Sequence, residues 1–210
     1  MKKRDLEIIQ SLEKFKCLER DQIAALHFQK NKRPHVIANG VLRRLRMAGY
    51  IQANTDRAFQ QYIYFPVPSS MKINSQKIDH YLMIAQGYID LNRMSPVTNY
   101  DIEPKIKDAD FIPDVICEWM GKKYFIEYQN SLYTAKQMHQ KINKYIDYFN
   151  KGNWNDERLL IVGKINLKFD TEDYPIKIKQ VKDINELKRL VEKVKEKTIK
   201  SVNGRIEFTL

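Results

Sequence analysis

Between Phe111 and Gly163 the apolar residues change period in a fixed order, and that order limits the folds open to the chain. Phe111 to Trp119 is strand-like and carries Pro113-Asp114 near its start. Met120-Gly121-Lys122-Lys123 reads as a turn, and Tyr124-Phe125-Ile126-Glu127-Tyr128-Gln129 as a second strand, the two forming a hairpin. Met138, Ile142, Tyr145, Ile146 and Phe149 then recur at helical spacing over 134–150. Arg158 to Gly163 is a buried strand in pattern. The expected order is strand, strand, helix, strand.

Upstream the period is helical. Leu6, Ile9 and Leu12 space a first helix from Arg4 to Lys14, and 19–28 reads as a short second one. After the basic turn 29–33, Pro34 opens a third helix that ends at Gly49, with Val36, Ile37, Val41, Leu42 and Leu45 as its apolar positions. Two β-prone runs, 50–53 and 60–65, flank a polar turn and predict a hairpin. Ser75 can cap a further helix through Leu91, buried between partners, and 92–110 is expected to be loop with at most a short strand. Toward the end, 176–181 alternates as an edge strand, Asp183 caps a helix to about Lys197, and 200–210 reads as a hairpin around Asn203-Gly204.

Charge is distributed unevenly over this order. The 210 residues carry a net +11. Residues 1–72 hold 14 basic and 6 acidic side chains, a net +8, whereas 73–210 hold 23 and 20, a net +3. A basic first third implies a polyanionic partner, nucleic acid or an acidic membrane surface. No apolar stretch approaches the roughly 20 residues of a membrane span. Met1-Lys2-Lys3-Arg4 leads into Asp5 and Glu7 rather than an apolar signal core, so a cytoplasmic protein off the membrane is expected. Cys17 and Cys117 stand alone and read as buried structural thiols.

Three short helices followed by a hairpin resemble the winged-helix family over residues 4–66, with 42–51 similar to the end of its recognition helix running into the wing. That resemblance implies double-stranded DNA as partner, the third helix in the major groove, and Lys30, Lys32, Arg33, His35, Asn39 and Arg43 on phosphates and base edges. It also implies Arg57 at the wing tip on the backbone or minor groove. A protein-docking domain is the alternative for the same pattern. His27, set among apolar residues, reads as a core histidine.

The order from Phe111 to Gly163 resembles the PD-(D/E)XK nuclease superfamily, its motif falling on Pro113-Asp114 and Glu127-Tyr128-Gln129. The resemblance implies Mg²⁺ held by Asp114 and Glu127, which would stabilise charge on a phosphodiester and activate a water. Where that family has Lys, this chain has Gln129, and Lys136, Lys141 or Lys144 on the following helix can replace the ammonium. The plain alternative makes Asp114 a turn residue and Glu127 a solvent-facing strand residue. Most of the chain is also similar to the replication-relaxation family of plasmids, phages and mobile elements, with Lys141 and Tyr145 as its spaced helix residues.

The resulting expectation is an α+β protein with a winged helix-turn-helix domain at 1–72, a connecting helix and loop at 73–110, and an α/β restriction-endonuclease-like domain at 111–210. Its expected role is DNA replication, relaxation or processing, with Asp114, Glu127, Gln129 and Lys141 as the catalytic set. A non-catalytic regulator or replication initiator, dimerising through its second domain as a homodimer, is the competing expectation.

Overall fold

A computed structural model describes residues 1–56, 61–164 and 174–193 and shows a mixed α+β protein. The chain divides into two compact units, Met1–Ile89 and Asp90–Leu210.

In the first unit, α1 (Lys3–Phe15), α2 (Arg20–His27) and α3 (Pro34–Met47) surround a small sheet. Strands β1 (Leu18–Glu19), β2 (Ile51–Asn54) and β3 (Ile63–Pro66) form it in the antiparallel order β1-β3-β2. Ile8, Leu12 and Phe15 of α1, Ile23 of α2, and Ala38, Leu42 and Leu45 of α3 are buried at the three- and four-residue spacing of one helix face. Val36, expected on that face, is 63% exposed, because the packed stripe of α3 runs through 38, 42 and 45 instead. His27 is partly buried rather than a core residue: its Nε2 shares a 2.9 Å hydrogen bond with Ser11 Oγ, and burial holds its pKa down.

One charged pair crosses this core. The Asp5 carboxylate is fully buried, accepts from the Lys2 backbone N–H at 2.8 Å and accepts from the Arg44 guanidinium at 2.7 Å. It ties the first turn of α1 to α3. Arg44 thus faces away from its sequence neighbours Arg43 and Arg46, a consequence of the 100° step between helical residues.

α4 (Ile78–Met94) follows, and its first twelve residues belong to the first unit. Leu82 O accepts from Gln22 Nε2 at 2.9 Å, and the Tyr88 ring lies 5.5 Å from Phe15. The expected boundary at 72 therefore moves to 89. The helix's apolar face is part of the first core rather than of a connector.

The second unit is built on a five-stranded sheet of β4 (Val97–Ile102), β5 (Val115–Trp119), β6 (Lys122–Gln129), β7 (Arg158–Gly163) and β8 (Lys177–Val181), in that order. β4, β5 and β6 are antiparallel neighbours, whereas β7 pairs parallel with both β6 and β8. A parallel β6–β7 pair needs a crossover, and α5 (Ala135–Asn150) supplies it. Thr134 caps that helix, accepting from the Gln137 N–H at 3.3 Å. Met138, Ile142 and Tyr145 of α5 pack on Phe125, Leu159, Ile161 and Ile178 of the sheet. Met120 and Gly121, both at positive φ, make the two-residue turn between β5 and β6.

The lysine-bearing strand predicted at 176–181 is β8 at the sheet edge, and Asp183 caps a short 3₁₀ turn at Ile184–Leu187. The expected wing tip at Arg57, the last part of the helix expected to run to about Lys197 and the hairpin expected at 200–210 lie outside the described residues. Cys17 and Cys117 are buried thiols outside any disulfide.

Replacing Arg44 by Met leaves a buried carboxylate without its partner, and is expected to lower the opening free energy of α1 by about 2 kcal/mol at neutral pH. The Arg44 hydrogen bond holds Asp5 below its ordinary pKa of 3.8. Its stabilisation is therefore present above that value and lost as the pH falls through the lower, folded one. Hydrogen exchange of the α1 amides measured down the pH scale checks this: the deficit of Arg44→Met must shrink in acid.

Candidate functional site

Alternation along β6 sends Phe125, Glu127 and Gln129 to the face covered by α5 and Tyr128 to the opposite face. Glu127 is 4% exposed, so the solvent-facing alternative does not hold. Its carboxylate has two partners from α5: Tyr145 Oη donates to Oε1 at 2.5 Å, and Lys141 Nζ lies 2.7 Å from Oε2. Residues 141 and 145 are one helical turn apart and reach the same group.

Asp114 joins them from the approach to β5. Its Oδ2 accepts from the Tyr128 backbone N–H at 2.6 Å, just beyond the point where the β5–β6 pairing ends at Val115 and Ile126. The carboxylate continues the ladder by one side-chain bond. It also lies close enough for its charge to act on Glu127, Lys141 and Tyr145.

Burial pushes the Glu127 carboxyl up to about 7; the Lys141 ammonium pulls the other way, and the Asp114 charge adds to the push. Burial works against the Lys141 ammonium, but Glu127 more than offsets it and Lys141 ends above its ordinary value. Tyr145 is raised well above the usual phenol range, first by burial and then by Glu127. A carboxylate poised near neutrality beside a second carboxylate and an ammonium is an arrangement common at reactive sites.

Of the catalytic set expected from the sequence, Asp114, Glu127 and Lys141 come together, and Gln129 lies two residues along the same strand face. Gln129 is buried, and its Oε1 has no hydrogen-bond partner. Lys136 and Lys144 are exposed, and Gln137 is occupied in the Thr134 cap. Among the described residues, no group of three or more His, Cys, Asp or Glu side chains is placed to hold a metal ion. The oxygen donors here are two carboxylates and one amide, hard ligands that suit Mg²⁺ rather than zinc.

A second candidate surface belongs to the first unit. Asn39, Arg43 and Arg46 share one face of α3 and, with Arg20, Leu42, Gln61, Tyr62 and Tyr64, line a groove of about 510 Å³. Lys30, Lys32 and Arg33 are exposed on the turn before α3. His35 is exposed but not free, since its Nδ1 lies 2.9 Å from Asp21 Oδ1. Asp21 also pairs with Arg20 at 2.8 Å and accepts from Gln61 Nε2 at 2.5 Å. The sequence reading passed over Arg20, Arg46 and Tyr62. Arg46 was within reach of it, at seven residues from Asn39 and three from Arg43, whereas Arg20 and Tyr62 come from other elements.

Comparison of the chain with family models, curated proteins and solved structures finds no match. Among the described residues no helix is long and apolar enough to cross a membrane.

The end of β6 is fixed by Gly163 of β7. Gly163 has a φ of +126°, and a Cβ there would sit 2.2 Å from the Gln129 carbonyl oxygen. Gly163→Ala must therefore push β7 off the end of β6. A loss of at least about 2 kcal/mol is expected from the clash and strain, read as faster amide exchange in both strands.

Proposed function

We propose that this chain binds double-stranded DNA through a winged helix in its first unit and acts on phosphodiesters through a PD-(D/E)XK nuclease-like second unit, in DNA replication, relaxation or processing. The observation that carries the reading is the convergence on buried Glu127 of Lys141 and Tyr145 from α5 and of Asp114 from the start of β5. Burial alone requires partners for Glu127, but a buried ion pair is often replaced by apolar residues at no loss of stability, so its retention here supports a role beyond structure.

In this reading Asp114 and Glu127 would hold Mg²⁺. The chemistry such an ion supplies when bound is charge neutralisation on the phosphodiester and a lower pKa for its water. Tyr145 holds Glu127 in place. Lys141 supplies from the helix the ammonium that the superfamily places on the strand, and its Nζ can donate to a phosphate oxygen or orient a water.

The first unit supplies affinity. The groove residues Arg20, Arg43 and Arg46 are cationic, Asn39 offers an amide for a base edge, and the lysines before α3 lie exposed for phosphates. The net +8 of residues 1–72 against +3 for the remainder supports the same division.

Supercoiled plasmid incubated with the protein and Mg²⁺ or Mn²⁺ tests the proposal. Nicking or cleavage is expected, lost in Asp114→Ala, Glu127→Ala and Lys141→Ala while DNA binding persists. Binding without metal-dependent cleavage would instead support the regulator reading, which is favoured by the fact that both Glu127 oxygens already have protein partners.

Two further outcomes follow from the geometry. Arg43→Ala and Arg46→Ala are each expected to weaken duplex binding and to make its salt dependence shallower by about one unit of slope, as measured by gel-shift titration. Arg44→Met should leave that slope unchanged, because its guanidinium is committed to Asp5. Burial raises the Glu127 carboxyl to about 7 and a cation competes with its proton, so the affinity for Mn²⁺ should rise with pH through about 7. An affinity independent of pH from 5.5 to 8.5 would remove Glu127 as a ligand.

A further inference from the structure

We infer that Gln129 supplies, through Oε1, a third oxygen ligand for a divalent cation at the Asp114–Glu127 site, in place of the strand lysine expected from the superfamily pattern. The inference rests on the site proposed above and assigns it a residue with a different chemical role.

Gln129 is 4% exposed, and its Oε1 is buried with no partner. Leaving a buried carbonyl unsatisfied costs about 1–3 kcal/mol, so native proteins rarely do it without a reason. The side chain projects from β6 on the same face as Glu127, two residues away. Its backbone has no freedom to turn aside: it pairs with Gly163 across β6–β7, its carbonyl accepts from the Lys164 N–H at 3.0 Å, and Gly163 closes against it.

The chemistry of the donor set points the same way. Hard cations such as Mg²⁺ and Mn²⁺ take carboxylate, amide and carbonyl oxygens. Among the described residues no group of three or more His, Cys, Asp or Glu is placed to hold a metal ion, so a third side-chain oxygen beside Asp114 and Glu127 would be a neutral one. A lysine at 129 would place a second ammonium beside Lys141, and both would repel the cation. With the ammonium moved to α5, the strand position is released to accept.

Titration of the full chain with Mn²⁺ at pH 8 without DNA, followed by the electron paramagnetic resonance signal of free Mn²⁺, tests the assignment. Gln129→Leu keeps the size and removes the donor, and should weaken binding by about tenfold. Gln129→Lys should weaken it further, and Gln129→Glu should strengthen it by adding a charge. The Glu variant also serves as the folding-independent arm, since a gain in affinity cannot come from misfolding.

If Gln129→Leu and Gln129→Glu both bind Mn²⁺ as the wild type does, while Glu127→Gln abolishes binding, the role of Gln129 is overturned and the cation site stands. If the wild type shows no saturable Mn²⁺ binding, the cation site itself falls, and this inference with it.

Discussion

A carboxylate cannot be left alone in a protein interior, and Glu127 is buried at the middle strand of a five-stranded sheet. Everything around it is arranged to that end. Tyr145 and Lys141 have to lie on one face of α5, one turn apart, with Met138 and Ile142 filling the rest of that face against Phe125 and Leu159. The helix register and the parallel β6–β7 crossover together place the two donors of α5 around this one anion. Removing its partners would leave several kcal/mol uncompensated. The buried site and the fold of the second unit therefore share a single constraint.

The first unit solves a smaller version of the same problem. Asp5 of α1 is buried and held by Arg44, so the guanidinium of one α3 arginine is engaged in an ion pair while its side chain stays half-exposed. Its neighbours Arg43 and Arg46 stay on the open face with Asn39. A basic run along a helix is thus divided by helical geometry into a structural cation and surface cations. Asp21 acts likewise at the groove's edge, orienting Arg20, Gln61 and His35. Net charge counts these residues equally, although only some are available to a polyanion.

Much of this order was legible in the chain. The period changes located α1, α2, α3, α5 and the strands β5, β6 and β7, because amphipathic spacing and β-rich runs are local signals. The Pro-Asp and Glu-x-Gln motifs marked Asp114, Glu127 and Gln129, and Lys141 was one of three lysines considered for the helix. The resemblance had already placed Lys141 in the catalytic set, and the packed face shows why it reaches Glu127: it lies at i−4 from Tyr145 and i+3 from Met138, while Lys136 and Lys144 are exposed. The polar stretch 97–102 showed no apolar alternation, with only Tyr100 buried in it, so β4 was not distinct from loop. The same lack of a local signal hid the assignment of α4 to the first unit.

By itself the sequence determined the periodicities, and with them the elements, their order, the excess of charge in the first third and the residue types able to carry chemistry. These follow from spacing and composition along the chain, which local physics reads directly. Only the tertiary structure decided which charges are partnered and which are free, since ion pairs such as Asp5–Arg44 and Glu127–Lys141 join residues 39 and 14 positions apart. It also decided that Gln129 is buried with an unpartnered oxygen, because burial depends on what the crossover helix brings over the strand. Whether a polar side chain is surface, structure or site is set by its neighbours in space.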